Sequence, residues 1–367
     1  MANECGVSKI VTTFLLNTCR LRMRLTVRDL WAVERCAMFL NCNPASNELD
    51  GYVPLTTGSV AEFYIDPMLS CVGDIDVMFH LNSQLAIPRG HSPPTQLPAE
   101  FHKYVKVMEI IDSHLPGYVY LPLRYLLTEC PDGGKYVCFE SDQRGYLISL
   151  KHTYMLRFVI HGPARSADFS DLSPYCMSFD GVDCVRCLTW PLQAADWPTR
   201  HRNYGWPDSA TADRVVSNRC DVVGVAHRQC RQHECKASKY QHRLSFSRAE
   251  IVLINSWMPV QQIVYHMLRY FIKTEQLTDC ADNSGASTLS NFHIKTLMLW
   301  ACELKPRSWW TENLNLVRIC VELLNILSVW LRDIRCPHYF INNCNLLDDS
   351  FNVGSVACKL MSMDEKY

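Results

Sequence analysis

The sequence predicts an α+β fold, with a sheet-centred front half and a helical back half. Two patterns predict it. From residue 52 to about 188, short β-rich apolar runs alternate with clusters of Pro, Gly, Asp and Ser. From 259 onward, apolar residues recur at spacings of three and four, the period of an amphipathic helix. Composition agrees, because 48% hydrophobic against 20% charged residues supplies enough apolar surface to build a core and excludes disorder as the main state. With 367 residues and a prior of about 150 per domain, two lobes are expected, 1–205 and 206–367.

The elements follow in chain order. Residues 26–41 carry Leu30, Val33, Met38 and Leu40 among charges, with Thr26 in the capping position, and read as a helix. The strand-like runs are Tyr52–Leu55, Ile75–Phe79, Tyr104–Ile111, Tyr118–Leu121, Tyr136–Phe139, Tyr146–Leu150 and Val182–Leu188. Turn-rich stretches such as Pro88–Pro94 and Pro131–Gly134 separate them. Residues 259–275 place Ile263, Val264, Met267, Leu268, Phe271 and Ile272 on one stripe, and Pro259 sits where a missing N–H does no harm. A polar loop over 278–289 precedes a helix capped by Ser290 and running to Leu304. A last helix is expected from about Glu312 to Arg332.

Charge and cysteine usage narrow the function classes. Lys and Arg number 36 and Asp and Glu 37, so nucleic-acid contact is confined to a local patch. No apolar run approaches the roughly 20 residues of a bilayer span, so no membrane partner is expected. The apolar stretch Ile10–Leu16 leads to Cys19 and a basic run (Arg20, Arg22, Arg24) rather than to a small-residue cleavage site. The nineteen cysteines are scattered and odd in number. A cytoplasmic protein with reduced thiols is expected.

The chemical signal lies in spaced carboxylates. Asp74 and Asp76 stand in GDIDVMF. On a strand, residues i and i+2 share a face about 6.6–6.8 Å apart, so both acids point one way while Ile75 and Val77 point the other. Neighbouring carboxylates repel unless cations lie between them, and oxygen donors so placed suit Mg²⁺ or Mn²⁺. Asp183, in GVDCVRCL, is the expected third acid. By itself the Asp-x-Asp pair is better read as an exposed turn or a solvated strand face. The upstream segment changes that reading. Gly58 and Ser59 follow the strand-like YVPLTT, and a Gly-Ser turn opening a helix can hold phosphate. Asp74 lies fifteen positions after Ser59, room for a helix and a return. Strand, Gly-Ser turn, short helix and Asp-x-Asp strand is the order seen in nucleotidyltransferases of the polymerase-β type.

From residue 50 to 347 the chain resembles the cyclic GMP–AMP synthase-like receptors of the male-abnormal-twenty-one (Mab) nucleotidyltransferase family. The matching segments, in order, are GSVAE (58–62), DIDVMF (74–79), VDCV (182–185), RLSFSRAE (243–250), LSNFHIKTLMLWACE (289–303) and CPHYFINNCNLLD (336–348). The resemblance implies a polymerase-β-type lobe with a central mixed sheet, a helical C-terminal lobe, and nucleotides in the cleft between them. It implies that Gly58 and Ser59 meet the donor triphosphate, that Asp74, Asp76 and Asp183 hold two Mg²⁺ ions (or Mn²⁺), and that Arg243, Ser245 and Ser247 reach a nucleobase. Phe292 stands for a base-stacking tyrosine, keeping the ring and losing the hydroxyl; Asn291 replaces a serine; Arg269 replaces a phosphate-binding lysine and keeps the charge. The implied activity joins two nucleoside triphosphates, ATP, GTP or another, into a cyclic dinucleotide. The implied role is an innate-immune receptor switched on by a ligand such as double-stranded RNA. The alternative is a catalytically silent relative acting as a nucleotide-binding or protein-interaction module. The zinc-binding module that the vertebrate DNA sensor of this group inserts after RLSFS is missing, since Glu250 leads through Trp257 to Pro259 with no Cys or His before His266, so zinc-module DNA binding is not expected.

Other features read as structural. His227, Cys230, His233 and Cys235 have tight overlapping spacings and read as a loop rather than a zinc site. The basic residues from Arg219 up to, but not including, Arg243 read equally as an RNA strip or a solvated face. Cys184 and Cys187 fall on opposite strand faces, and the tryptophans belong to packing. His293 and His338 read as packing or surface groups, and Lys295 as a solvated helix charge.

Overall fold

The computed structural model describes residues 13, 20–22, 51–58, 62, 64–66, 75–141, 159–161, 164–167, 179–227, 230, 239–275, 277, 289–311 and 315–347. The expected helix over 26–41, the strand Tyr146–Leu150 and almost all of the 278–289 loop lie outside them.

Among the described residues thirteen strands run in chain order as β1 (Arg20–Arg22), β2 (Tyr52–Thr57), β3 (Tyr64–Asp66), β4 (Ile75–Pro88), β5 (Tyr104–Asp112), β6 (Tyr118–Tyr120), β7 (Leu123–Glu129), β8 (Tyr136–Glu140), β9 (Val159–His161), β10 (Ala164–Ala167), β11 (Phe179–Cys187), β12 (Cys220–Val223) and β13 (Gln241–Ser245). β1 and β3 form a separate ribbon. The other eleven make one mixed sheet in the order β2-β4-β11-β12-β13-β6-β5-β7-β8, with β10 paired to β11 and β9 paired to β10.

β4 organises the sheet. Its first half pairs antiparallel with β2, its second half pairs parallel with β5, and β11 runs parallel along its other side. Because β5 also pairs with β6, the pairings return to β4 as a closed circuit. A strand covered on both faces reads as a continuous buried run rather than an alternation. The consecutive buried residues Val77, Met78, Phe79, His80 and Leu81 are that case.

Among the described residues six α-helices are complete: α1 (Ser209–Asn218), α2 (Ser247–Ile254), α3 (Pro259–Thr274), α4 (Asn291–Leu304), α5 (Arg307–Thr311) and α6 (Leu316–Arg332). α3 starts at Pro259 as its sequence predicts, and Ser290 caps α4. α6 begins at Leu316 because the Asn315 side chain accepts the Arg318 N–H at 3.1 Å and supplies the cap. α1 escaped the periodicity; its signal is Asp208, whose carboxylate accepts the Thr211 N–H at 2.6 Å. None of the described helices is long and apolar enough to cross a membrane.

The expected division at 205 does not coincide with an edge of the sheet. β12 and β13 follow it in sequence and sit beside β11, and one core joins Val185 and Val222 of the sheet to Leu253, Leu268, Leu297 and Leu323 of the helices. Trp190, Trp197, Phe246 and Phe340 form an aromatic knot in that core, with Phe246 and Phe340 stacked at 4.5 Å. The cysteines described carry no disulfide. Cys184 and Cys187 do serve different clusters, and Cys187 faces Cys220 across the β11–β12 pair.

Burial leaves several imidazoles neutral. It pulls His80 and His242 from the ordinary 6.5 down to about 4, and His266 down to about 3. Their unfolded forms take up a proton below 6.5 while the folded forms do not, so the stability present above 6.5 is lost as pH falls toward the folded values. The slope is about 1.4 kcal/mol per pH unit for each such group. Urea unfolding between about pH 7 and about pH 5 should show this decline. His80→Leu removes an imidazole whose two nitrogens have no hydrogen-bond partner among the described residues, and should make the decline shallower.

Candidate active site

A crevice of about 680 Å³ opens where the sheet meets the helices. Gly58, Asp76, Asp180 and Arg243 line it from the sheet; Phe292 and Lys295 line it from α4.

The strand register decides which acids reach it. β4 and β11 are parallel, with Asp180 beside Asp76 and Asp183 beside Phe79. Register partners in a parallel pair share a face, and the side-chain period is two. Asp76, Met78, Asp180 and Val182 therefore face the crevice together, and all four line it. Asp183, an odd number of positions from Asp180, points to the other face and is not part of the lining. The expectation that Asp183 joins Asp76 is corrected on this ground, and Asp180 is the acid that stands next to Asp76. Asp74 and Ser59 lie outside the described residues. Among the described residues no group of three Asp, Glu, His or Cys side chains is clustered closely enough to hold a metal ion.

Gly58 explains its own identity. Its φ is +63°, in the left-handed region. A Cβ added there would stand 1.9 Å from Asp76 Oδ2. The Thr57 hydroxyl donates to the Asp76 carbonyl at 3.3 Å, which fastens the end of β2 to the start of β4. The turn and the carboxylate are thus in contact, and only a residue without a side chain permits it.

The RLSFS segment is β13 and the turn into α2. Arg243, Ser245 and Ser247 all line the crevice. Ser245 and Ser247 share a hydrogen bond between their hydroxyls at 3.1 Å, and the Ser245 hydroxyl lies 3.8 Å from Met78 Sδ on β4. Phe292, in the first turn of α4, presents its ring to the crevice with the His338 ring 6.2 Å away. His338 is no surface group. Its Nδ1 accepts the backbone N–H groups of Phe340 (3.0 Å) and Ile341 (3.1 Å), and burial, with Arg243 nearby, lowers it to about 3, which leaves a neutral ring with its proton on Nε2. Two expected residues stand outside the lining: Asn291 is exposed at the helix start, and Arg269 lies on α3 with its guanidinium 5.4 Å from the Tyr265 ring.

Lys295 departs most from its expected role. Its side chain is only 12% exposed, and its ammonium pairs with Glu62 and, at 2.8 Å, with Glu250. Burial opposes the charge, but Glu250 and then Glu62 outweigh it and hold the ammonium well above its ordinary range. The Tyr265 hydroxyl donates to the other Glu62 oxygen at 3.4 Å. The available sequence signal was position: Lys295 falls one helical step from Phe292, on the same face.

Residues 260–357 match the Mab-21 protein HhH/H2TH-like domain. The match takes in α3 to α6 and the loop carrying His338, and therefore the helical wall of the crevice.

Gly58→Ala tests the contact between turn and carboxylate. Left-handed backbone strain of about 1–3 kcal/mol should add to the displacement of Asp76. Urea unfolding should report a loss of at least that size, and an unchanged midpoint would contradict the contact.

Proposed function

Carrying that C-terminal domain, the chain is a member of the Mab-21 family, which includes cGAS-like nucleotidyltransferases, and on this premise we propose that its crevice transfers a nucleotidyl group from one nucleoside triphosphate to a second, closing a cyclic dinucleotide. One observation carries the reading. Asp76 and Asp180 stand side by side on adjacent strands, against the Gly58 turn, on the face that opens to the crevice. Such a sheet edge, with a tight turn before its first acid, is what a polymerase-β-type lobe requires.

The donor set fits Mg²⁺ or Mn²⁺, because both side chains offer hard carboxylate oxygens. Asp76 and Asp180 would hold the ions together with Asp74, two positions before Asp76 in sequence. When bound, the ions acidify the attacking ribose hydroxyl and neutralise the departing pyrophosphate. The chain's own residues orient the two nucleotides. Gly58 lets the triphosphate approach the turn closely, with Ser59 beside it. Phe292 offers a ring face to one base, and Arg243, Ser245 and Ser247 offer polar contacts to a base edge. Arg269 and Asn291 act from the periphery, after movement toward the nucleotide. Activation by double-stranded RNA would use the basic residues between Arg219 and Arg243, reading backbone charge and shape rather than sequence. The setting we infer is cytoplasmic.

The test is turnover by purified protein with the four labelled nucleoside triphosphates and Mg²⁺ or Mn²⁺, with and without double-stranded RNA, followed by separation of products. Asp76→Asn and Asp180→Asn should each lower product formation by about a hundredfold or more, while Asp183→Asn retains most of it. Activity in Asp180→Asn with loss in Asp183→Asn would overturn the carboxylate assignment. Absence of any product from the unaltered protein under every condition would overturn nucleotidyl transfer itself, and a linear oligomer would overturn cyclisation.

A further inference from the structure

The cluster around Lys295 forms part of the crevice wall, with Glu62 behind it, and it joins three segments remote in sequence. Glu62 follows the Gly58 turn by four residues, Glu250 lies on α2 directly after β13, and Lys295 lies on α4 one step from Phe292. Glu62 is 2% exposed and Glu250 5% exposed. Two carboxylates so far from water are held by one ammonium, with the Tyr265 hydroxyl as a further donor. The arrangement carries one excess negative charge, so it depends on the lysine more than a simple pair would. Glu62 does not line the crevice, whereas Glu250, Lys295 and Gly58 do. The lysine therefore connects the phosphate-side turn to the base-side wall.

We propose that Lys295 is a positioning residue: by holding Glu62 against Glu250 it fixes the Gly58 turn, and the Asp76 carboxylate in contact with it, relative to the Phe292 wall. Removing the ammonium leaves two buried like charges with no cation between them. Glu62 then turns outward, and the turn moves with it. The consequence for nucleotide rests on the function proposed above: a triphosphate loses its fixed turn, while the base wall on α4 is unchanged. The consequence for the backbone rests on nothing but the cluster.

The experiment uses the full chain and four variants, Lys295→Met, Lys295→Arg, Glu62→Gln and the double variant Glu62→Gln/Lys295→Met. Two readouts are compared: hydrogen exchange of peptides covering 51–62 and 259–274, and equilibrium binding of Mg²⁺-ATP and Mg²⁺-GTP. Lys295→Met should speed exchange over 51–62 by roughly tenfold or more while 259–274 keeps its protection, because a local opening is being released. Triphosphate affinity should fall by about tenfold, and Lys295→Arg should restore part of both effects. In the double variant, neutralising Glu62 should recover much of the loss, which shows that the two residues act on one another. Equal acceleration over the whole chain, or an unchanged 51–62, would overturn the proposal. If Lys295→Met fails to fold, Glu62→Gln carries the test, since it leaves the Lys295–Glu250 pair in place; no change over 51–62 in that variant overturns the proposal. If the unaltered protein binds neither triphosphate, the functional reading fails, and the exchange data alone decide the role of Lys295.

Discussion

A carboxylate taken out of water must meet a cation, and that constraint shapes this molecule at three places. Asp221, on β12 and fully buried, takes Arg248 at 2.8 Å and Arg186 at 3.5 Å. Glu303, on α4, takes Arg200 at 2.7 Å, the Tyr339 hydroxyl at 2.8 Å and Arg202 at 3.6 Å. Glu62 and Glu250 share Lys295. Removing one partner of a buried pair costs about 3–5 kcal/mol, because the remaining charge is stranded. Each cluster joins elements that are distant in sequence, so the ion pairs specify which helix meets which strand after the apolar core has brought them near. The first binds β11 and β12 to α2. The second binds the segment after β11 to α4 and to the C-terminal loop, with Arg200 also lying 4.5 Å from the Trp300 ring. The third binds Glu62, four residues past Gly58, to α2 and α4.

The crevice is a consequence of those joints and of β4. A fourteen-residue strand that gives one edge first to β2 and then to β5 has to turn away from β2 part-way along. The end of β2 and the start of β4 are therefore left at the rim of the circuit, beside the Gly58 turn. β13 brings Ser245 to the same rim through its contact with Met78, and α4 arrives there N-terminus first, with Ser290 as its cap. Turn, acids, serines and aromatic ring reach one place from segments spread between residue 58 and residue 292.

Much of this was legible in the sequence, and the failures have physical causes. α3 and α4 were legible because long stripes at helical spacing leave little ambiguity, and Pro259 and Ser290 mark their starts. β13 was hard to see by alternation, since Gln241 and His242 are polar and buried. They are tolerated because Gln241 Nε2 donates to Ser113 at 3.0 Å, Gln241 Oε1 accepts the His227 N–H at 2.7 Å, and His242 Nδ1 lies 2.8 Å from the Tyr240 carbonyl. β12 is four residues long with a buried aspartate in it, and no hydrophobic pattern announces such a strand. Lys295 read as a solvated charge because one residue cannot show that two carboxylates from 45 and 233 positions away will meet it.

The choice between Asp180 and Asp183 shows where sequence reasoning ends and register begins. Both acids sit on β11, three residues apart, and composition treats them alike. An odd separation on a strand guarantees that at most one of them shares a face with Asp76, but it does not say which. That depends on how β11 slides against β4, and a slip of one residue would reverse the answer. The register is fixed by burial. On the crevice face Met78, Val182 and Cys184 pack with Val223 and Val225, and on the other face Val185 and Cys187 enter the main core. Slipping β11 by one position would carry Val185 and Cys187 out of that core and bring Arg186 into it. The apolar residues of the strand, which have no part in any chemistry, thus determine which carboxylate faces the crevice.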